Sequence, residues 1–218
     1  MRHDGIDQLA DAAIALVGER RRALLGIAGA PGAGKSTLAE ALLVRVAATQ
    51  GTDWVAHVPM DGFHLADVQL ERLGARGRKG APDTFDADGY ADLLRRLLDH
   101  PDQPIYAPGF ERTLEQPIAA AVVVPPSARL VVTEGNYLLL PQPRWEAARA
   151  QLTEAWYVTT HDDARQARLV DRHVAFGKDA ESAARWVRET DEANAALISS
   201  ASHRADRLIV NTPDGWVC

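Results

Sequence analysis

Residues 24–37 read LLGIAGAPGAGKST, and this stretch decides the fold. Its first half is an apolar run typical of a buried strand, and its second half is the pattern Gly-x-x-x-x-Gly-Lys-Ser, which begins at Gly29. Leu38 and Leu42 follow at helical spacing. A strand, a glycine-rich loop and a helix in this order predict a P-loop that binds the phosphates of a nucleoside triphosphate. The alternative is a purely structural glycine turn.

The residues of this loop are expected to hold ATP and Mg²⁺. Its glycines let successive backbone N–H groups curl around the phosphates, and the helix that follows points its positive end at them. Lys35 is predicted to reach the β- and γ-phosphates as a catalytic cation, and the Ser36 hydroxyl is predicted to bind Mg²⁺. The predicted ATP-binding residues are Gly29, Ala30, Pro31, Gly32, Ala33, Gly34, Lys35, Ser36 and Thr37.

Composition limits the class of protein. The chain has 218 residues, of which 46% are hydrophobic, and this fits one compact domain over 1–218 with a lid segment at about 162–190. Its only cysteine is Cys218, so an intrachain disulfide and a cysteine metal cluster are excluded, which suits a reducing cytosol. The formal net charge of −6 argues against nucleic acid as a partner.

The sequence also bears on the membrane. No apolar run approaches the length that crosses a bilayer, and residues 1–4 lack the apolar core of a secretion signal. We therefore expect a cytoplasmic protein without membrane insertion that acts on a small molecule. The sequence leaves open whether the chain forms a homodimer.

Apolar runs and helical periodicities alternate along the rest of the chain. Strands are predicted at 24–28, 54–60, 130–133, 156–158 and 207–210, and helices at 6–22, 86–98, 162–176 and 180–200. Arg20, Arg21 and Arg22 are interpreted as the basic end of the first helix. The pattern predicts an α/β fold, the three-layer α/β/α sandwich of P-loop NTPases, with a mostly parallel sheet and a helical lid.

Two carboxylates follow predicted strands, at the sheet edge where ligands bind in such folds. Asp61 ends the second strand and is predicted to be the general base that takes the proton of an acceptor hydroxyl; a helix cap or a metal bridge is the alternative. Glu134 follows the strand at 130–133 and is predicted to bind Mg²⁺, with an ordinary polar strand end as the alternative. Phosphoryl transfer to an alcohol needs both functions.

Candidate substrate-binding residues lie outside the regular elements. Arg78 and Lys79 form a compact basic loop that either faces an anionic substrate or lies in solvent. Tyr106 and Arg112 lie in a predicted irregular loop, where binding groups are over-represented, although Tyr106 could instead be a packing residue. His64 completes the predicted set, although a lone histidine more often serves packing.

A late stretch of the chain is rich in arginine. Arg165, Arg168 and Arg172 recur at three- or four-residue steps, so one helix face can present several guanidinium groups to phosphate oxygens. The alternative is surface pairing with neighbouring aspartates. We expect this segment to close over ATP and exclude water.

Several motifs resemble one group of P-loop kinases. They are 60–64 (MDGFH), 77–83 (GRKGAPD), 82–86 (PDTFD), Pro104-x-Tyr106, 134–140 (EGNYLLL) and 186–197. On these residues the chain resembles the group that contains uridine kinase, phosphoribulokinase and the bacterial P-loop pantothenate kinase. It looks nearest to a bacterial subgroup of nucleoside/nucleotide kinase-like or fructose-transport-associated kinases.

The resemblance implies roles for matched residues. It implies ATP and Mg²⁺ as cofactors, Asp61 as the catalytic base and Tyr106 as a residue that touches the acceptor. It also implies that a catalytic lid arginine, matched best by Arg168 or Arg172, stabilises the phosphates. The chain has Ala107-Pro108 where pantothenate kinase has Ser-His, so the resemblance does not single out pantothenate as substrate.

These observations predict an ATP-dependent kinase that transfers the γ-phosphoryl group to a hydroxyl of a nucleoside, a sugar or a pantothenate-like alcohol. The alternative is a nucleotide-binding regulator or transport-associated sensor without acceptor phosphorylation. A GTPase is not favoured because the chain lacks the Asn/Thr-Lys-x-Asp motif, and an ABC-type ATPase is not favoured because it lacks Leu-Ser-Gly-Gly.

Overall fold

A mostly parallel sheet with helices on both faces forms the body of the molecule. The computed structural model describes residues 5–218. The strands are β1 (Ala23–Gly29), β2 (Val55–His57), β3 (Ile105–Glu111), β4 (Gln116–Val124), β5 (Leu130–Glu134), β6 (Glu154–Thr159), β7 (Arg207–Thr212) and β8 (Gly215–Val217). The helices are α1 (Gly5–Ala15), α2 (Lys35–Gln50), α3 (Asp67–Arg72), α4 (Ala87–Asp99), α5 (Pro143–Arg149), α6 (Asp162–Ala175), α7 (Ala180–Trp186) and α8 (Glu192–Ser200). The main sheet has the order β2-β5-β1-β6-β7-β8, and β8 alone within it pairs antiparallel.

Successive residues of the central strands enter two cores on opposite faces of the sheet. Leu24 and Val131 pack under α4, α5 and α8, whereas Leu25 and Val132 pack under α1 and α2. Every residue of β1 and β5 is buried, which explains why both strands are apolar on both faces. The predicted three-layer α/β/α sandwich is confirmed.

A second, two-stranded sheet corrects one prediction. Residues 105–111 were expected to form an irregular loop, but they form β3 and pair antiparallel with β4. Ile105 and Ala107 are buried while Tyr106 between them faces outward, so the hairpin packs one face on the body. A register shift between Ala107 and Gly109 interrupts the pairing, and Pro108 at this irregularity is what hid the strand from sequence reasoning.

The first helix is shorter than predicted. α1 ends at Ala15, and Arg22 is no helix end: its side chain is 3% exposed at the start of β1. Its guanidinium donates to the carbonyl oxygens of Leu97, Ala128, Pro101 and Pro125 over 2.8–3.2 Å. The interpretation of Arg22 as the basic end of a helix is therefore wrong.

Other elements differ from prediction in their bounds. The strand expected at 54–60 is the shorter β2, and it is followed by a 3₁₀ turn over Met60–Phe63. The helix expected at 180–200 is divided by a π-helical turn, Val187–Asp191. Asp86 caps α4 by accepting from the Gly89 N–H (2.9 Å).

Two predictions concern the membrane and the N-terminus. Within residues 5–218, no helix combines the length and the apolar character needed to cross a bilayer. Residues 1–4, on which the expectation of no secretion signal partly depends, lie outside the described residues.

Candidate active site

The loop between β1 and α2 has the shape of a phosphate cradle. Gly32 and Gly34 adopt φ values of +78° and +101°, which glycine tolerates and other residues rarely do. A Cβ on Gly34 would also overlap the Asn211 side-chain amide. The predicted ATP-binding residues 29–37 run from the end of β1 into the first turn of α2, where unpaired helical N–H groups are available to an anion.

A cavity of about 450 Å³ lies over this loop and is called the smaller cavity below. It is lined by Gly32, Gly34, Lys35, Ser36, Thr37, Arg168, Leu169, Arg172 and Asn211. Arg168 and Arg172 reach it from α6, and Arg168 Nη1 lies 3.5 Å from the Gly32 oxygen. Asn211 Nδ2 donates to the Ala33 oxygen (3.0 Å) and ties β7 to the loop. α6 therefore faces the phosphate cradle directly.

Lys35 and Glu134 are buried together beside the cradle. Lys35 Nζ donates to the Ala30 oxygen (3.2 Å) and forms no ion pair with Glu134. Burial lowers the pKa of Lys35. Burial, and next the negative charge of Asp61, raise the pKa of Glu134 to about 7, against the opposing effects of Lys35, Arg112 and a hydrogen bond from Ser36. Within the chain, neither the positive charge of Lys35 nor the negative charge of Glu134 is fully offset by a neighbouring group of opposite charge.

The donors present fit a Mg²⁺ ion that arrives with a nucleotide. No group of three or more His, Cys, Asp or Glu side chains within residues 5–218 can hold a metal by itself. Mg²⁺ bound to a nucleotide needs only one or two protein oxygens, because phosphates and water supply the others. Ser36 and Glu134 line the same cavity and offer one oxygen donor group each.

Asp61 lies on the 3₁₀ turn that follows β2. Arg112 Nη2 donates to its Oδ2 over 2.8 Å. His64 Nε2 is 3.9 Å from Oδ1, beyond hydrogen-bonding distance, so Oδ1 is open to another donor. The backbone of the next residue, Gly62, packs directly against the backbone of β3. There is no room for a side chain, since a Cβ on Gly62 would overlap the Pro108 carbonyl. The carboxylate is thus fixed between its turn and the hairpin.

His64 is buried between two aromatic rings beside this carboxylate. Its ring centroid lies 3.9 Å from that of Phe85 and 5.0 Å from that of Phe110. Burial is the largest cause that lowers its pKa to about 4, so the imidazole is neutral near pH 7. Its Nδ1 has no hydrogen-bond partner among the described residues. The side chain is therefore a neutral imidazole beside the Asp61 carboxylate.

A second cavity of about 720 Å³, called the larger cavity below, adjoins the first. One wall carries Asp61, His64, Lys79, Phe110 and Arg112, and the opposite wall is formed by residues 172–194. Lys35, Ser36 and Arg172 line both cavities. Lys35 and Ser36 of the phosphate cradle therefore line the same cavity as the Asp61 carboxylate.

Comparison with known proteins decides the family. No protein-family model matches the chain. A Schizosaccharomyces pombe protein named "Putative uridine kinase C227.14" is 38% identical over 176 residues, which cover 78% of this chain and 74% of that protein. The "ATP-dependent kinase-like protein notR'" of Aspergillus versicolor is 35% identical, over 70% of this chain and 88% of that protein. The chain is a P-loop kinase of the uridine kinase-like group.

Solved structures agree with this assignment. The "putative fructose transport system kinase" of Silicibacter sp. TM1040 superposes on the kinase with a TM-score of 0.83 at 34% identity, over 93% of this chain and 98% of that one. The YFH7 structure from Saccharomyces cerevisiae gives a TM-score of 0.80 at 19% identity, over 94% and 98% of the two chains, and shows the same fold. The family implies that the kinase uses ATP.

Two predicted substrate-binding residues of the kinase lie away from its cavities. Arg78 pairs with Asp83 at the surface through two hydrogen bonds of 2.9 and 2.7 Å. Tyr106 is 61% exposed on the outer face of the hairpin, opposite Val123. The alternation of β3 turns Tyr106 outward, so the structure does not support substrate contact for either residue. His64, Lys79 and Arg112 do line the larger cavity.

Sequence reasoning missed most of the wall formed by residues 172–194. His173 Nε2 bonds Asp191 Oδ2 at 2.8 Å and joins α6 to the π-helical turn. Trp186, Lys178 and Asn194 also line the larger cavity of the kinase. The late stretch 186–197 carried a resemblance but no assigned residue. A π-helical turn is common at functional sites, yet no sequence pattern announced it.

Proposed function

We propose that the kinase transfers the γ-phosphoryl group of ATP to a hydroxyl of a small molecule held in the larger cavity, with Asp61 as the general base. The observation that carries this proposal is the shared boundary of the two cavities. Lys35, Ser36 and Arg172 line both, so a phosphoryl group held there lies between the nucleotide and an acceptor. The acceptor classes considered are nucleosides, sugars and pantothenate-like alcohols.

In this proposal ATP with Mg²⁺ supplies the transferable phosphoryl group and a charge that offsets its oxygens. Asp61 Oδ1 accepts the hydroxyl proton as the acceptor oxygen bonds to phosphorus. Arg112 holds the other oxygen of Asp61 and so fixes the orientation of the carboxylate. Lys35 and Arg172 stabilise charge on the moving group. Ser36 and Glu134 are the residues that would hold Mg²⁺, and ADP is the leaving group.

The lid segment has a proposed part in this reaction. Arg168 and Arg172 on α6 would hold phosphate oxygens and close the cavities to water, which limits hydrolysis. Arg165 ties α6 to α8: it is 4% exposed and bonds both Glu192 oxygens at 2.6 and 2.9 Å. We propose that the chain acts as one kinase domain, with residues 162–190 as its lid.

The test is ATP turnover with Mg²⁺ across nucleosides, sugars, sugar phosphates, glycerate and pantothenate. The Asp61→Asn variant should lose acceptor-dependent turnover by about 10³-fold, because a general base contributes 10² to 10⁴. Its affinity for ADP should stay within twofold of the wild type.

Asp83→Asn is the matched control, because Asp83 binds Arg78 at the surface and lines neither cavity. Nucleotide binding that no acceptor converts into Asp61-dependent turnover would instead favour a regulator or transport-associated sensor.

A further inference from the structure

Cations cover two of the aromatic rings that line the larger cavity. Lys79 Nζ lies 5.6 Å from the centroid of Phe110, and Arg112 Cζ lies 5.2 Å from the same centroid. On the opposite wall, Lys178 Nζ lies 4.7 Å from the centroid of Trp186. Cation–π contacts of this kind hold a charged group in place at an aromatic face. A flat, uncharged ring would have to displace a cation to stack on the ring face that the cation covers.

The cations over Phe110 keep unused donors. Lys79 donates to Asp67 Oδ1 (2.8 Å) and to the Glu115 backbone oxygen, which engages two of its three N–H groups. Of the five N–H groups of Arg112, the structure engages those of Nη2 alone, on Asp61. The remaining N–H groups of both side chains are available to an anion beside Phe110.

Each of these cations has one carboxylate partner, which leaves some of its N–H groups free. Asp67 is shared between Lys79 and Arg76, at 2.8 and 2.9 Å, and Arg76 also pairs with Glu71 at 3.2 Å. Asp61 is engaged by Arg112 and needed as the base, and Asp191 is bonded to His173. Glu115 lines the cavity, but only its backbone oxygen contacts Lys79.

We propose that the acceptor is anionic: a small alcohol that carries a carboxylate or a phosphate, bound by Lys79 and Arg112 over Phe110. This inference rests on the proposed kinase function and narrows its acceptor class. Arg112 contacts the Asp61 carboxylate directly. An anionic group that binds the free N–H groups of Arg112 therefore lies within one guanidinium width of Asp61. The anion and the reacting hydroxyl are therefore separated by a few bonds.

The experiment uses pairs of alcohols that differ in one anionic group. They are D-glycerate and glycerol, ribose 5-phosphate and ribose, pantothenate and panthenol, and uridine 5′-monophosphate and uridine. Turnover is measured by ADP release, and binding by calorimetry with a non-hydrolysable ATP analogue and Mg²⁺. The carboxylate and phosphate pairs distinguish which anion the site takes.

Three variants accompany the wild type: Lys79→Met, Arg112→Met and, as the control, Arg76→Met. Arg76 binds the same Asp67 as Lys79 but lines neither cavity. We expect the wild type and Arg76→Met to prefer at least one anion over its neutral partner by about tenfold or more in kcat/KM. The Lys79→Met and Arg112→Met variants should lose that preference, and thermal melting checks that each variant is folded.

The outcomes separate this inference from the kinase function itself. If a neutral alcohol is phosphorylated and no anion is preferred over its neutral partner, the inference is overturned and the kinase function stands. If anions bind in a Lys79-dependent way but none is phosphorylated, the anion site is supported and the kinase function is contradicted. If no anion binds more tightly than its neutral partner, the inference is overturned.

Discussion

Two buried cations at opposite ends of β1 differ in what surrounds them. Arg22 precedes the strand with 3% exposure, and four carbonyl oxygens of the chain occupy its guanidinium. Lys35 follows the strand with 9% exposure, and its ammonium bonds one carbonyl oxygen, that of Ala30. Burial is the main cause that lowers the pKa of both side chains, so burial alone does not separate them.

The number of donors that the chain satisfies does separate them. A buried polar group is costly unless it is hydrogen-bonded, and Arg22 meets that condition within the chain. The buried Lys35 ammonium and the Glu134 carboxylate beside it are only partly hydrogen-bonded within the chain. Buried polar groups that are only partly hydrogen-bonded, at the carboxyl edge of a parallel sheet, are typical of a site that a ligand completes. The difference separates a structural cation from a functional one.

The largest effect should come from Lys35→Met. We expect ATP turnover to fall by about 10³-fold, because a cation aimed at the transferred phosphoryl group is lost. The free energy of unfolding of the apo protein should rise by about 1 kcal/mol, because a partly unsatisfied buried charge is removed. Chemical denaturation and ADP release measure the two effects, with Arg45→Met on the exposed face of α2 as control. Lower apo stability in Lys35→Met would show that Lys35 is structural, like Arg22.

Arg22→Met should have the opposite profile. Removing the guanidinium leaves buried carbonyl oxygens unpaired, so we expect the free energy of unfolding to fall by about 3 kcal/mol. The kcat of the folded fraction should stay within twofold of the wild type, since Arg22 lies at the far end of the sheet from both cavities. Arg21→Met is the matched control, because Arg21 is exposed and pairs with Asp102 at the surface. If Arg22→Met and Arg21→Met lowered the free energy of unfolding equally, Arg22 could not be called a structural cation in contrast to Lys35.

A smaller effect should appear in the pH dependence of Glu134→Gln. The pKa of Glu134 is raised from 4.5 to about 7, so its contribution to folding is full below pH 4.5 and is lost as the pH rises to about 7. Ligands that need the ionised carboxylate, such as Mg²⁺ with ADP, should bind roughly tenfold more tightly per pH unit up to about pH 7. Calorimetric titration between pH 5.5 and 8.5 should show this slope in the wild type and a flat, weaker profile in Glu134→Gln. The same slope in both proteins would assign it to another group.

The local parts of this structure could be predicted from sequence. The P-loop is contiguous, and Asp61 and Glu134 were located because each follows an apolar run that becomes a strand. The hairpin was missed because Pro108 and Gly109 obscure the alternation of β3. Arg22 was misread because its carbonyl acceptors lie 75 to 106 residues away in the chain, where no local pattern reaches. The pairing of His173 with Asp191 depends in the same way on how α6 packs against the π-helical turn.

The contact of Gly62 with the Pro108 carbonyl bears on how such a kinase can change its acceptor during evolution. The hairpin is anchored to the turn of Asp61 through backbone atoms, which do not depend on side chains at the hairpin tip. Residues 111–115, which include Arg112, are exposed and follow that anchor. Substitutions at the tip can accumulate while the turn that carries the carboxylate keeps its position. A lineage can thereby exchange one acceptor for another while its phosphate cradle stays the same.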